Sequence, residues 1–131
     1  MTTNRTAAER TGRRRLRVLL VEDEMMIALW LEGLLTDWGH KVAGPVARLD
    51  KGLEIAEREA LDLAILDVNL NGTEVYPIAA VLAARGIPFI FATGYGRAGL
   101  RDPYRDSPTL QKPYRTADLQ AAIAEACGGP Q

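Results

Sequence analysis

The sequence predicts an α/β fold: a doubly wound parallel sheet of five strands with helices on both faces. Short apolar runs alternate five times with stretches of helical periodicity. Each run is apolar throughout, as strands buried on both faces require. The chain has 131 residues, which suits one domain of ordinary size and no second one.

The first strand is Leu16 to Val21, rich in Val and Leu. Glu24 to Trp38 follows, with Ile27, Trp30, Leu31, Leu34, Leu35 and Trp38 at helical steps of three and four. That spacing assigns Trp30 and Trp38 to the core, and Gly39 ends the helix. His40 to Val46 is a weaker strand, broken by Gly44-Pro45. Arg48 to Ala60 is helical, with Leu53, Ile55, Ala56 and Ala60 among charges. Leu63-Ala64-Ile65-Leu66 is a buried strand that ends at Asp67, and Asn71-Gly72 marks a turn.

Glu74 to Arg85 is an alanine-rich helix in which Pro77 is tolerable only in the first turn. Pro88 to Ala92 is a strand. Gly94 to Pro108 holds three glycines and two prolines. Glycine costs a helix about 1 kcal/mol per site and interior proline about 3 kcal/mol, so a helix here is short or irregular. Thr109 to Gln111 is a minimal strand. Thr116 to Cys127 is a helix with Leu119, Ala122, Ile123 and Ala126 on one face, closed by Gly128-Gly129. His40 is expected at the surface, Cys127 as a small packing residue, and Met25 and Met26 packed beside the first loop.

Composition excludes several chemistries. A chain of this length buries roughly two-thirds of its unfolded surface and needs no disulfide or metal to fold. Cys127 and His40 are the sole residues of their types, which excludes a Cys/His zinc site and argues against a Cys–His dyad. A Ser-His-Asp triad would need both His40 and the only serine, Ser107. Residues 1–17 carry six arginines against Glu9, a net +5, which leaves −6 for the rest. A mildly acidic domain of this kind has no nucleic-acid footprint of its own. The basic residues 1–16 are expected to form a disordered arm, and 128–131 a short tail. The apolar stretch after Arg13-Arg14-Arg15 is too short for an export signal, and no run suits a membrane span, so a cytoplasmic protein is expected.

In such sheets ligands bind beyond the carboxyl ends of the strands. Those ends read Glu22-Asp23-Glu24, Asp67, Thr93 and Lys112-Pro113. Each has a bland reading as a helix cap, a turn residue, a strand exit or a surface lysine. Their conjunction at one end of successive strands favours a site. Carboxylates held close together call for a cation between them, and hard oxygen ligands favour Mg²⁺. A carboxylate can also attack phosphorus to give an acyl phosphate, whose charge metal, lysine and hydroxyl neutralise.

These residues carry a family resemblance. From about Arg17 to Cys127 the chain resembles the receiver domain of two-component response regulators. The matching motifs are Val21-Glu22-Asp23-Glu24, Ile65-Leu66-Asp67-Val68-Asn69-Leu70, Phe91-Ala92-Thr93-Gly94-Tyr95 and Lys112-Pro113-Tyr114. The third string is similar to that of the FATGUY-type, single-domain subgroup. The resemblance implies a flavodoxin-like (βα)5 fold with strand order 2-1-3-4-5 and a receiver domain at 17–127. It implies Asp67 as phosphoacceptor, Glu22, Asp23, Asp67 and the Asn69 carbonyl as the Mg²⁺ site, and Thr93 and Lys112 as contacts of the phosphoryl oxygens. It also implies a histidine kinase as partner, of the HWE or a related class. With no output domain in view, the signal is expected to leave by protein contact or phosphorelay.

Two departures stand out. Receivers usually carry Tyr or Phe three residues before the lysine, where this chain has Thr109. Tyr95 is the alternative switch aromatic. The second is the glycine-rich segment in place of a fourth helix. Two other functions remain: a receiver-fold binding module that acts without phosphorylation, and a flavodoxin-like cofactor binder. The latter needs a first loop rich in Gly, Ser or Thr to cradle phosphate, whereas Glu22-Asp23-Glu24 repels it.

Overall fold

A computed structural model describes residues 15–127, and in it the apolar runs become strands joined by helices. The elements are β1 (Arg17–Val21), α1 (Met25–Asp37), β2 (Lys41–Val46), α2 (Leu49–Arg58), β3 (Leu63–Asp67), β4 (Asn69–Leu70), β5 (Thr73–Glu74), α3 (Tyr76–Ala84), β6 (Phe89–Thr93), β7 (Thr109–Gln111) and α4 (Thr116–Ala126). Of the arm expected at 1–16, residues 1–14 lie outside the described residues, as do the tail 128–131 and the Gly128-Gly129 helix end, whereas Leu16 is buried in the core.

Five strands form one parallel sheet in the order β2-β1-β3-β6-β7. With the two-residue strands β4 and β5 set aside, this is the expected order 2-1-3-4-5. Successive residues of a strand point to opposite faces, which explains the unbroken apolar runs. Leu19, Val21, Ala64, Leu66 and Phe91 pack with Ala56 of α2 and Ile78, Ala79 and Leu82 of α3. Val18, Leu20, Leu63, Ile65 and Ile90 pack on the other face with Leu31 and Leu35 of α1 and Leu119 and Ile123 of α4. No helix among the described residues is long and apolar enough to cross a membrane.

Several local expectations change. β2 is continuous through Gly44-Pro45, because a bulge absorbs the interruption: Leu19 pairs with Ala43, but Val21 pairs with Val46. Gly44 takes φ +100° there, and a Cβ would sit 3.0 Å from the Leu20 carbonyl. Asn71-Gly72 forms the turn of a hairpin, with φ of 54° and 95°, and pairs β4 with β5. Glu74 therefore lies in β5, and α3 starts at Tyr76 with Pro77 in its first turn. Between β6 and β7 the glycine-rich segment keeps one 3₁₀ turn, Gly96–Gly99, the short and irregular helix expected there.

On α1 the buried line is Ala28, Leu31 and Leu35. It is rotated from the stripe read in the sequence, so Trp30 is not a core residue and remains 42% exposed. Trp38 is half-buried against the core. Met25 and Met26 do not pack either, being 74% and 81% exposed. His40 reverses in the other direction: it is 5% exposed. Its Nδ1 accepts the Leu16 N–H at 3.0 Å, a main-chain donor just ahead of β1. Satisfying that donor is what allows a polar ring to be buried.

Candidate functional site

Parallel pairing brings the predicted residues to one edge. Glu22 and Asp23 follow β1, Asp67 ends β3, Thr93 ends β6 and Lys112 follows β7. Main-chain hydrogen bonds fix the neighbours: Val68 N–H donates to Ala92 O at 3.0 Å and Lys112 N–H to Thr93 O at 2.8 Å. Glu22 N–H donates to Val46 O at 2.9 Å.

Glu22, Asp23 and Asp67 each present a carboxylate oxygen, and these oxygens lie within 4.8 Å of one another. Glu22 and Asp67 are buried. Lys112 Nζ stands 3.0 Å from Asp67 Oδ2, 3.4 Å from Glu22 Oε1 and 3.6 Å from Glu24 Oε1. Main-chain donors add to the set: Glu24 N–H to Glu22 Oε2 at 3.1 Å and Asn69 N–H to Asp67 Oδ1 at 3.3 Å.

The balance is short of positive charge. Burial, then the hydrogen bond and charge of Asp67, push the Glu22 carboxyl up to about 8. Burial also raises Asp67, against the pull of Lys112. For Lys112, burial opposes the ammonium, but the hydrogen bond and charge of Asp67, with those of Glu22, hold it above its ordinary value. One lysine cannot neutralise three clustered carboxylates. The donors are hard oxygens with no Cys or His among them, so the set fits a hard divalent cation.

No family model matches the chain. The transcriptional regulatory protein PdtaR of Mycobacterium tuberculosis is 31% identical over 111 residues, 82% of this chain and 54% of PdtaR. The chain spans about half the length of the curated relatives it matches. SdrG from Sphingomonas melonis superimposes with a TM-score of 0.76 at 40% identity, over 84% of this chain and 94% of SdrG. The receiver domain of a sensor histidine kinase from Pseudomonas aeruginosa, with magnesium coordinated in its active-site cleft, superimposes with a TM-score of 0.70 at 25% identity, over 88% of this chain and all of that domain. The chain belongs to the receiver-domain family of response regulators.

In this receiver domain Glu22, Asp23, Asp67 and Lys112 come together directly, with Thr93 on the adjoining strand end. Thr93 is 5% exposed, and its Oγ1 accepts the Tyr95 N–H at 3.1 Å. The Tyr95 ring stands 79% exposed. Asn69 turns its side chain into the hairpin, where Oδ1 accepts the Gly72 N–H at 2.6 Å. Thr109 is half-buried, and its hydroxyl donates to Ser107 O at 2.8 Å.

Tyr76 and Tyr104 had no role in the sequence reading, and Tyr114 entered it only as the end of the Lys112-Pro113-Tyr114 motif. Tyr114 packs on Trp30 with ring centres 5.9 Å apart, and its buried hydroxyl finds no hydrogen-bond partner among the described residues. Burial, then the charges of Glu22, Asp67 and Glu24, hold that phenol above its ordinary value. With Glu24, Ile27, Trp30, Lys112 and Pro113 it lines a groove of about 490 Å³. Tyr76 stacks on Tyr104 of the glycine-rich segment, with ring centres 5.4 Å apart and planes 5° from parallel. An aromatic ring inside a glycine- and proline-rich loop was the available signal for Tyr104.

Proposed function

We propose that this receiver domain, residues 17–127, accepts a phosphoryl group on Asp67 from a phosphohistidine of a histidine kinase. It then signals by a phosphorylation-dependent protein contact or by relay. The observation that carries this is the setting of Asp67: a buried carboxylate, 3.0 Å from Lys112 on one side and clustered with Glu22 and Asp23 on the other. An Asp67 oxygen attacks phosphorus while the phosphorus–nitrogen bond breaks. The imidazole, protonated on its other nitrogen, leaves neutral, and an acyl phosphate remains.

Glu22, Asp23, Asp67 and the Asn69 carbonyl would hold Mg²⁺, which supplies positive charge to the phosphoryl oxygens when bound. Lys112 moves from Asp67 to those oxygens, and the Thr93 hydroxyl donates to one of them and so reports the transfer. The Phe91-to-Tyr95 string supports the FATGUY-type, single-domain subgroup, with Tyr95 as the mobile aromatic. A kinase of the HWE or a related class in the cytoplasm is the matching donor.

Acetyl phosphate with Mg²⁺, read by intact mass, tests the reading. Wild type gains one phosphoryl group and Asp67→Ala gains none. No gain in wild type would favour a receiver-fold binding module that acts without phosphorylation. A gain that persists in Asp67→Ala would move the acceptor elsewhere.

A further inference from the structure

The Gly94–Pro108 segment holds one 3₁₀ turn and two isolated turns, closed by Tyr104 N–H to Arg101 O at 2.8 Å and Ser107 N–H to Tyr104 O at 3.0 Å, so contacts from outside it help to fix it beside Thr93. Tyr76, the first residue of α3, supplies them. Its hydroxyl accepts the Arg101 N–H at 3.1 Å and donates to Gly99 O at 3.4 Å. Its ring is 9% exposed, stacks on Tyr104 and meets Phe91 edge-on with centres 5.8 Å apart. The Arg101 guanidinium lies over that ring at 4.9 Å and pairs with Glu74 of β5 at 2.7 Å.

One residue thus ties together two segments. The first is the hairpin and helix that follow Asp67. The second is the turn that follows Thr93. Phe89, Phe91 and Thr93 are alternate residues of β6 and share one face. Tyr104 and Tyr76 cover the two phenylalanines, and Gly99 covers the threonine. A Cβ on Gly99 would lie 2.6 Å from Thr93 Oγ1, so the hydroxyl keeps its room only because Gly99 carries no side chain. Any movement of Gly99 therefore changes the space available to the hydroxyl.

With Asp67 as the phosphoryl acceptor proposed above, we infer that Tyr76 is a positioning residue for Thr93. By pinning Gly99 and Arg101, its hydroxyl sets where the Thr93 hydroxyl stands when a phosphoryl group arrives. The fixed Tyr76 contact supplies part of the order that a fourth helix would otherwise give.

Beryllofluoride with Mg²⁺, a mimic of the phosphoryl group, tests this by affinity in wild type, Tyr76→Phe, Thr93→Ala and the double variant. Tyr76→Phe keeps the stacked ring and removes only the hydroxyl. It should weaken binding about fivefold, the scale of one hydrogen bond. In the Thr93→Ala background the same change should cost less than about twofold, because the two residues act through one path. Equal losses in both backgrounds would mean a merely structural role and would overturn the inference, as would no loss beside Thr93. Failure of wild type to bind beryllofluoride would instead sink the Asp67 reading, and the inference with it.

Discussion

Replacing Glu22 by Gln should stabilise the protein in a chelator, and more so as pH rises. Glu22 is 3% exposed. Burial and the neighbouring Asp67 raise its carboxyl from 4.5 to about 8. A carboxyl raised on folding binds more protons in the folded state than in the unfolded one. Stability therefore falls as pH climbs from the unfolded value to the folded one. At about 1.4 kcal/mol per unit, the loss reaches roughly 3 kcal/mol near pH 7 and levels off above about pH 8. Asp67 shifts in the same direction and adds to the trend. Gln keeps an oxygen for the Glu24 N–H and removes the charge. Urea unfolding in chelator should then show variant and wild type converging near pH 5 and diverging by roughly 2–4 kcal/mol by about pH 8. With Mg²⁺ the gap should shrink or reverse, and Mg²⁺ binding near neutral pH should release protons. Parallel pH profiles for the two proteins in chelator would refute the reasoning.

Thr93→Ala should keep acceptance of a phosphoryl group at Asp67 and lose the phosphorylation-dependent change in partner affinity, measured by partner binding before and after acetyl phosphate treatment. His40→Ala should cost about 1–3 kcal/mol in urea unfolding, because the Leu16 N–H loses its buried acceptor. Gly99→Ala should destabilise by about 1–3 kcal/mol through its clash with Thr93 Oγ1, and the cost should shrink in a Thr93→Ala background. Met25→Ser and Met26→Ser should leave the unfolding midpoint nearly unchanged, since both side chains are exposed.

Much of the fold was legible because it is written in local pattern. Leu63 to Leu66 is apolar at every position, which only a strand covered on both faces needs, and Asp67 follows it at the carboxyl end. That any helix between β6 and β7 would be short or irregular was equally legible in the glycines and prolines of Gly94 to Pro108. The candidate site followed from order along the chain, because parallel strands with helical crossovers bring Glu22, Asp23, Asp67, Thr93 and Lys112 to one edge.

The tertiary structure decided how far each residue is covered. Helical spacing places Trp30 on an apolar stripe, but which part of the stripe is buried depends on where α1 meets the sheet, and that line runs through Ala28, Leu31 and Leu35. His40 is buried because a main-chain donor from another segment meets its ring. The same holds at the site. The sequence by itself determined which acids and which lysine share an edge. Folding decided that Lys112 reaches Asp67 and Glu22 together, that burial and Asp67 raise the Glu22 carboxyl, and that Tyr76 joins the turn beside Thr93 to the segment after Asp67. Periodicity is a property of neighbours along the chain, whereas desolvation and contact are set by segments distant in sequence that fold against one another.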